Sequence, residues 1–440
     1  MRGTAGLRDK AGPPVLMAGG LLVTGLAGYG FVALSGHTLP ARDAAAVAAL
    51  YLLINLVGPG VFAALEQETN RSIGAELAAG GTVDAVRRRA ALVGGGLLVL
   101  VLAVLGGLAP VLVPTTLGGN TGLFFALLLG TVTSGVVYLA RGLLAGTSRF
   151  AGYAATLAGE GAARLLPCIL LAVLGGANAV VYGVFFAAGS LFGVVASWPW
   201  LRRMDAPGAG SERPSATTTA EMGRKLLLLV GSTTLLQLLG NLAPIVVAGR
   251  LTTNAALAAA FTSAFVLARL PLTAFAPVQA LMLPPLTAAA ARGDLPAVRR
   301  LLLRIVAAAV AVGLLGTLAA GAIGPWAVRI LFGAKVDLGG AMLAALGAST
   351  MLLMLGLILQ PGLVALGRHR IVAGSWALGA IVLVGLVFLP GDPLRAAIIG
   401  QLIGSGLVVV GMVAGLFAAL RDRSEPQEPT AVSLTAEQLD

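Results

Sequence analysis

The chain has 440 residues, of which 58% are hydrophobic and only 11% are charged. A soluble domain carries about 25% charged and 45–50% apolar residues, so this composition excludes an ordinary soluble enzyme. The net charge of +11 would suggest nucleic-acid binding in a soluble protein. Here most basic residues lie in short loops between apolar runs, where they orient membrane helices, and we expect no nucleic-acid partner.

The predicted elements are apolar runs, each near the roughly 20 residues that a membrane-spanning helix needs. They are too long and too uniformly apolar for the strands of an outer-membrane barrel. We therefore predict an all-α membrane protein with about twelve transmembrane helices. The predicted spans are 13–36, 44–66, 91–114, 122–145, 153–176, 178–200, 225–247, 257–286, 301–323, 341–365, 372–390 and 395–419.

The distribution of basic residues predicts the orientation of these spans. With a cytoplasmic N-terminus, 21 of the 29 lysines and arginines lie in inner segments, 5 in outer loops and 3 within spans. This bias agrees with the positive-inside rule and favours two cytoplasmic termini. The basic start of the chain then leads into an uncleaved first helix rather than a signal peptide. The Arg-, Ala- and Gly-rich composition is typical of a bacterial protein, so we expect the bacterial cytoplasmic membrane.

Polar segments divide the chain into two sets of six spans. Residues 201–224 contain Pro207, Pro214 and several glycines and serines, which is typical of a flexible linker. We therefore predict a first lobe over residues 1–200, a cytoplasmic linker over 201–224 and a second lobe over 225–420. Residues 421–440 are predicted to form a disordered cytoplasmic tail.

The two lobes share an internal repeat with an offset of 212 residues. Residues 78–88 read AAGGTVDAVRR and residues 290–300 read AARGDLPAVRR, with seven of eleven positions identical. The same offset pairs Pro59 with Pro271. Because each repeat holds an even number of spans, the two lobes are expected to be parallel and to face each other across a cleft. Such an arrangement suits a transporter that works by alternating access.

No set of residues typical of catalysis is visible. The two histidines, His37 and His369, have no ligand-like neighbours, there is no Walker motif, and Cys168 is the single cysteine. We therefore expect no enzymatic activity, no cofactor and no metal site.

Charged residues at membrane depth are costly and usually face a cavity or a partner. Arg269 is predicted to face the cleft and bind an anionic group such as a diphosphate; the alternative is burial against carbonyl groups. Glu160 and Arg164, four residues apart, form either an intrahelical ion pair or a polar cleft wall. Arg141 either joins that wall or extends to the lipid headgroups.

Other polar residues and prolines complete the set of candidates. Asn55 and Asn241 are candidate cleft residues, although hydrogen bonding between helices explains most such amides. Pro59, Pro271 and Pro277 are candidate gate or hinge residues, because proline removes a backbone hydrogen bond and permits a kink. A separate group, Glu66, Glu68 and Arg71, is expected to cap or gate the cytoplasmic end of the second span.

Several short motifs resemble a known superfamily. They are Gly58-Pro59-Gly60-Val61-Phe62 running into Glu66-Gln67-Glu68-Thr69-Asn70-Arg71, then Ala268-Arg269-Leu270-Pro271, Leu283-Pro284-Pro285-Leu286 and the segment 291–294. With twelve spans in two parallel lobes, the chain resembles the multidrug/oligosaccharidyl-lipid/polysaccharide exporter superfamily. Within it, the chain most resembles bacterial polysaccharide-biosynthesis membrane proteins, the flippases of lipid-linked oligosaccharides.

The resemblance implies flipping of a polyprenyl-diphosphate-linked oligosaccharide, with Arg269, Arg164 and Arg141 as candidates for holding the diphosphate. The implied partners are the lipid-linked saccharide, membrane lipids and a polysaccharide polymerase or glycosyltransferases. Asn241 stands where related chains often have an acidic residue, which argues against ion coupling there. The alternatives are a multidrug or organic-cation antiporter of the same superfamily and a lipid II flippase. The three intramembrane arginines against one clear carboxylate, Glu160, favour an anionic cargo.

Overall fold

The computed structural model describes residues 5–205, 218–272, 289, 292 and 294–424, and this described part contains helices but no strand. Two π-helical turns occur: Gly58–Phe62, here called the Pro59 turn, joins α2 to α3, and Leu112–Thr116 extends α4. The α-helices are α1 Ala5–Thr38, α2 Ala41–Val57, α3 Ala63–Ala78, α4 Val83–Val111, α5 Thr121–Gly146, α6 Phe150–Val173, α7 Ala179–Arg202, α8 Thr219–Arg250, α9 Ala255–Ala268, α10 Leu295–Phe332, α11 Gly340–Ala365, α12 His369–Val387 and α13 Pro393–Ser424.

These helices provide twelve segments that are long and apolar enough to cross a membrane, which confirms the predicted fold class. The second span differs from the prediction, because it runs from Ala41 to Ala78 through the Pro59 turn instead of ending at residue 66. Glu66 and Glu68 find hydrogen-bond partners inside the protein, so the helix continues where polar residues begin.

Three predicted features fall wholly or largely outside the described residues. The eighth span is described over Ala255–Leu272, so the hinge candidate Pro277 lies beyond it. The central part of the predicted linker, residues 206–217, and most of the predicted tail, residues 425–440, are likewise outside. Their roles stay predictions.

Polar residues between the apolar runs determine where several helices begin. The side chain of Asn120 accepts hydrogen bonds from backbone N–H groups at the start of α5, and Asn178 does the same for α7. Asn254 and Asp294 cap α9 and α10 in the same way. Each cap satisfies backbone donors that a helix leaves without a partner at its N-terminus.

The helices form two apolar cores that follow the sequence repeat. One core is built chiefly from α1–α7 and the other chiefly from α8–α13. Helices α4 and α10 begin at Val83 and Leu295, which keeps the 212-residue offset, and they are the third and ninth spans. Because six spans separate them, they cross in the same direction. The halves meet where α8 packs along α2, the Pro59 turn and α3, and where α9 packs against α2.

Candidate functional site: a cavity between the two halves

A cavity with a volume of about 240 Å³ lies between the two halves of the molecule. The first half contributes α1, α2 and the Pro59 turn, and the second half contributes α8, α9 and α11. The lining is mainly apolar and aromatic, with a few amides and one guanidinium. Its polar and aromatic side chains are Tyr29, Tyr51, Asn55, Gln237, Asn241, Phe265 and Arg269.

Two repeat-related prolines sit at breaks in the helices beside this cavity. Pro59 lies in the π-helical turn and lines the cavity. Pro271 follows Arg269, where the regular α9 helix ends, and packs against Gly316 of α10. Proline lacks the N–H that would continue the helix, so both breaks follow from the sequence. The breaks give the cavity irregular backbone in both halves.

The Pro59 turn is also tied to the second half by hydrogen bonds. The carbonyl oxygen of Gly60 accepts the hydroxyl of Thr233 at 2.6 Å and that of Thr234 at 3.0 Å. A Cβ at position 60 would lie 3.3 Å from the Cβ of Gln237. Glycine therefore allows α8 to approach the turn closely, and two hydroxyl donors satisfy a carbonyl exposed by the helix break.

Arg269 is the charged side chain of the cavity lining. Its guanidinium carbon lies 4.5 Å from the centre of the Phe265 ring, and its Nη1 donates to the hydroxyl of Thr350 at 3.4 Å. Its Nε and Nη2 are buried and have no hydrogen-bond partner among the described residues. No carboxylate occurs among the described residues that line the cavity. Arg269 thus presents buried, positively charged donors to an otherwise uncharged lining.

The amides of the lining are only partly engaged with the protein. Asn241 Nδ2 donates to Gln237 Oε1 at 2.8 Å, and Asn55 Nδ2 donates to the carbonyl oxygen of Tyr51 at 2.8 Å. An amide has both donors and an acceptor with two lone pairs, so each retains hydrogen-bonding capacity toward a ligand. Polar groups of this kind beside a cation can bind a hydroxyl-rich anion.

Glu160, Arg164 and Arg141 form a separate buried ionic cluster within the first half. Glu160 accepts hydrogen bonds from Arg141 and from Arg164, the latter at 2.5 Å. The hydroxyl of Ser190 donates to Glu160 at 2.7 Å and accepts from Arg164 at 3.1 Å, and Thr156 accepts from Arg141 at 2.9 Å. The three charged side chains are at most 10% exposed.

The position of this cluster corrects two of the sequence interpretations. None of its three charged residues lines the cavity between the halves, so the structure gives no support to a polar cleft wall. Arg141 does not extend to the membrane surface, because Glu160 and Thr156 hold its guanidinium inside the helix bundle. The ion pair expected between Glu160 and Arg164 is present, but it is shared with a third residue.

Two glycines of α7 allow the cluster to form. A Cβ at Gly189 would lie 2.4 Å from Cγ of Arg164, and a Cβ at Gly193 would lie 2.5 Å from the carbonyl oxygen of Thr156. Residues four apart share one helix face, so this small-residue face lets α6 and α7 approach closely. The Arg164 guanidinium then stacks 4.3 Å from the centre of the Phe186 ring.

The acidic residues of the second span lie inside the protein rather than at its end. Tyr153 donates its hydroxyl to Glu66 at 2.8 Å, which links α6 to α3. Glu68 is 1% exposed and accepts hydrogen bonds from Arg71 and Ser72. The expected cap at the end of this span is wrong, since the span continues to residue 78.

The halves also touch where α1 and α10 end, in a contact that we call the α1–α10 seam, formed by Gly36, His37, Ile330, Phe332 and Gly333. The Nε2 of His37 lies 3.0 Å from the carbonyl oxygen of Ile330, to which it can donate. A Cβ at Gly36 would lie only 2.0 Å from the carbonyl oxygen of Phe332. Gly333 ends α10 with a φ of +63°, which favours glycine. The seam is therefore a close backbone contact that larger residues would prevent.

Sequence reasoning missed several residues of the cavity. Tyr29, Tyr51, Phe265 and Thr350 were not among the candidates, because aromatic and hydroxyl residues are common in membrane helices. One signal was available: the chain has five tyrosines, all within the apolar runs of the first half. A tyrosine inside a span carries a hydroxyl that needs a partner, so it is a reasonable marker of a polar interior.

No group of histidine, cysteine, aspartate and glutamate side chains that could hold a metal ion occurs in the described part of the chain.

Solved structures with the same fold are transporters. A multidrug resistance MATE family transporter of the MOP superfamily in an inward-facing conformation matches with a TM-score of 0.71 and 14% identity, covering 94% of this chain and 100% of that chain. An outward-facing conformation of such a transporter matches with a TM-score of 0.59 and 16% identity, over 93% and 95% of the two chains. The chain thus has the fold of MATE transporters.

A further match is a MOP superfamily transporter from Pyrococcus furiosus, with a TM-score of 0.60 and 16% identity over 94% of this chain and 95% of that chain. The description of that structure states that the reverse polarity of its binding pocket suggests a different function.

Sequence comparisons find relatives without an assigned function. Uncharacterised proteins of Mycobacterium bovis and Mycobacterium tuberculosis are each 27% identical over 422 residues, covering 89% of this chain and 89% of theirs. No family model matches the chain.

Proposed function

We propose that the chain is a transporter of the bacterial cytoplasmic membrane that belongs to the MOP superfamily and works by alternating access. The support is a membrane fold shared with MATE transporters and a cavity built from both halves of a duplicated bundle. In parallel repeats of this kind, movement of one half against the other exposes a central site to each side in turn.

The α1–α10 seam and the central cavity fit one state of such a cycle. If both termini are cytoplasmic, as the basic residues predict, α1 and α10 end on the outer side. The seam then closes the outer side, and the higher TM-score with an inward-facing transporter agrees with this assignment. Outward opening would require the contacts of Gly36 and His37 with α10 to separate.

We propose further that the cargo is anionic, specifically the diphosphate of a polyprenyl-linked oligosaccharide. The observation that carries this proposal is Arg269, whose Nε and Nη2 lack partners among the described residues, in a cavity lining without a carboxylate. A guanidinium has a planar set of donors that matches phosphate oxygens. The amides of Asn55, Gln237 and Asn241 are suited to sugar hydroxyl groups.

The charge of the lining also bears on the competing functions. An organic-cation antiporter would be expected to place a carboxylate where the cation binds, whereas the charged residue here is an arginine. The transporter from Pyrococcus furiosus is a precedent for a pocket of reversed polarity on this fold. A lipid II flippase would use the same diphosphate chemistry, so only a direct test of cargo separates it from an oligosaccharide flippase.

The test is transport by the purified chain in proteoliposomes with three cargoes. A labelled polyprenyl-diphosphate oligosaccharide and labelled lipid II would be scored for movement between leaflets, and an organic cation would be scored for efflux. We expect flipping of the oligosaccharide lipid and loss of flipping in Arg269→Ala. Flipping of lipid II alone would reassign the cargo. Cation efflux without flipping of either lipid would overturn the proposal of an anionic cargo.

A further inference from the structure

A second cavity, also of about 240 Å³, lies on the side of the first half and shares no residue with the central cavity. It is a groove between α4 and α7 whose floor is α5, here called the α4–α7 groove. Its lining residues are Val83, Asp84, Arg87, Val136, Leu139, Ala140, Leu143, Val194, Trp198, Leu201, Arg202 and Met204.

The floor and walls of the groove are apolar and open to the surface of the bundle. Val136 on α5 is 42% exposed and Trp198 on α7 is 54% exposed. The neighbouring Val195 is 63% exposed, so the groove continues into an apolar surface. On a helix of a membrane-spanning bundle such a surface faces lipid acyl chains, since water does not cover it.

The rim of the groove is basic. Arg87 stands in the first turns of α4 and Arg202 in the last turn of α7, so both lie at the same end of the bundle. Asp84 is the acidic residue of the rim, and its Oδ1 lies 2.9 Å from Nη2 of Arg87. With two arginines and one aspartate the rim keeps a net positive charge, and Trp198 occupies the depth at which tryptophan is enriched in membrane interfaces.

We propose that the α4–α7 groove binds one anionic phospholipid of the surrounding membrane. Its phosphate and anionic headgroup lie between Arg87 and Arg202, and one acyl chain lies on the floor formed by Val136, Leu139 and Leu143. Basic pockets between membrane helices on the cytoplasmic side are suited to anionic headgroups. An apolar groove that runs away from the charges into the bilayer matches a lipid and would not suit a soluble anion.

The test measures lipid retention by the purified full-length protein in detergent, with native mass spectrometry as the readout. The probes are phosphatidylglycerol and phosphatidylcholine with identical acyl chains. We expect phosphatidylglycerol to be retained in preference to phosphatidylcholine. Arg87→Gln/Arg202→Gln should weaken phosphatidylglycerol retention by about tenfold or more, because each basic residue near an anionic lipid adds roughly fivefold in affinity.

A matched control exists in the second half. Arg299 and Arg300 are the repeat counterparts of Arg87 and Arg88 and are exposed at the start of α10. Arg299→Gln/Arg300→Gln removes the same charge at the same end of the bundle and should leave retention unchanged. An equal loss in this control, or no preference between the two lipids, would overturn the proposal.

A second variant tests the acyl-chain position without changing charge. Val136→Trp fills the floor of the groove from an exposed position, so folding, monitored by thermal unfolding, should be preserved. Phosphatidylglycerol retention should fall although both arginines remain. Full retention in a folded Val136→Trp protein would show that the groove does not hold the lipid and would also overturn the proposal.

Discussion

The two halves of the molecule hold buried arginines in opposite ways. In the first half, Arg141 and Arg164 share the carboxylate of Glu160, and hydroxyl groups complete the cluster. In the second half, Arg269 has a long contact with the Thr350 hydroxyl and an aromatic neighbour, and the described cavity lining supplies no carboxylate. One site is neutralised inside the protein, whereas the other faces a cavity with its charge uncompensated.

This difference separates a structural role from a binding role. A buried charge that is already paired and hydrogen-bonded has little to gain from a ligand, and removing its partner is strongly destabilising. A buried cation without a counterion has lost hydration and can regain it from an anion. The comparison therefore assigns the ionic cluster to holding α5, α6 and α7 together and assigns Arg269 to cargo.

The largest expected effect is on the stability of the ionic cluster. Glu160→Gln leaves two buried arginines without their carboxylate, and we expect a cost of about 3–5 kcal/mol. Thermal unfolding in detergent measures this as a lower midpoint temperature. The matched control is Glu221→Gln, which removes an exposed carboxylate paired with Lys225 and should cost less than about 1 kcal/mol.

Transport by the folded fraction of Glu160→Gln tests the other side of this assignment. Flipping per folded molecule should be unchanged. A stable protein that has lost a dependence of transport on pH or sodium would instead make Glu160 a coupling carboxylate, and the contrast between the halves would fail.

The second effect is on transport. Arg269→Ala should reduce flipping by at least about 30-fold, which corresponds to roughly 2 kcal/mol of a buried charged contact. Stability should be unchanged or higher, because a desolvated charge without a counterion is removed. Arg395→Ala, at a position whose side chain is 82% exposed, is the control. Normal flipping by Arg269→Ala would remove this residue from the mechanism.

The third effect concerns access to Arg269, which can serve cargo on both sides only if the α1–α10 seam opens. Gly36→Val would place a side chain against the Phe332 carbonyl and should destabilise the closed seam by about 1–3 kcal/mol. In a Cys168→Ala background, Ser263→Cys beside the seam should then react faster with an impermeant thiol reagent.

The control for this labelling experiment is Gly106→Val on α4. A Cβ at Gly106 has no atom within 4 Å, so this variant should not change the reaction of the cysteine. Equal labelling in Gly36→Val and Gly106→Val would mean that the seam does not gate the cavity.

The smallest effects come from a pair of hydroxyl deletions, one at each arginine site. Ser190→Ala removes a hydroxyl that donates to Glu160 and accepts from Arg164, and should cost about 1–3 kcal/mol because its partners are charged. Thr350→Val removes a contact of 3.4 Å, which is near the limit of a hydrogen bond, and should cost less than about 0.5 kcal/mol. Equal losses in thermal unfolding would contradict the contrast between the two sites.

The positions of most helices were predictable because they depend on local sequence. Apolar runs define the spans, and capping residues such as Asn120 and Asp294 define where helices start. The prediction was wrong at Glu66 and Glu68, which were taken to end the second span. Polar residues end a span only when they must reach water, and here Tyr153 and Arg71 supply their partners inside the bundle.

The candidate site was only partly predictable for a related reason. Arg269 and Glu160 stand out in the sequence in the same way, as charges within apolar runs. What distinguishes them is contact between helices: Arg141 reaches Glu160 across 19 residues of sequence, and Tyr29 and Tyr51 meet Arg269 around the same cavity from the other half. No spacing along the chain encodes these meetings.

By itself the sequence determined a membrane protein of twelve apolar helices, duplicated with an offset of 212 residues, because hydrophobicity and helix ends are properties of neighbouring residues. Only the tertiary structure decided which buried charges are neutralised and which one faces the cavity. The physical reason is that the electrostatic state of a buried side chain depends on the groups within a few ångströms of it, and in a helical bundle most of those groups come from other helices.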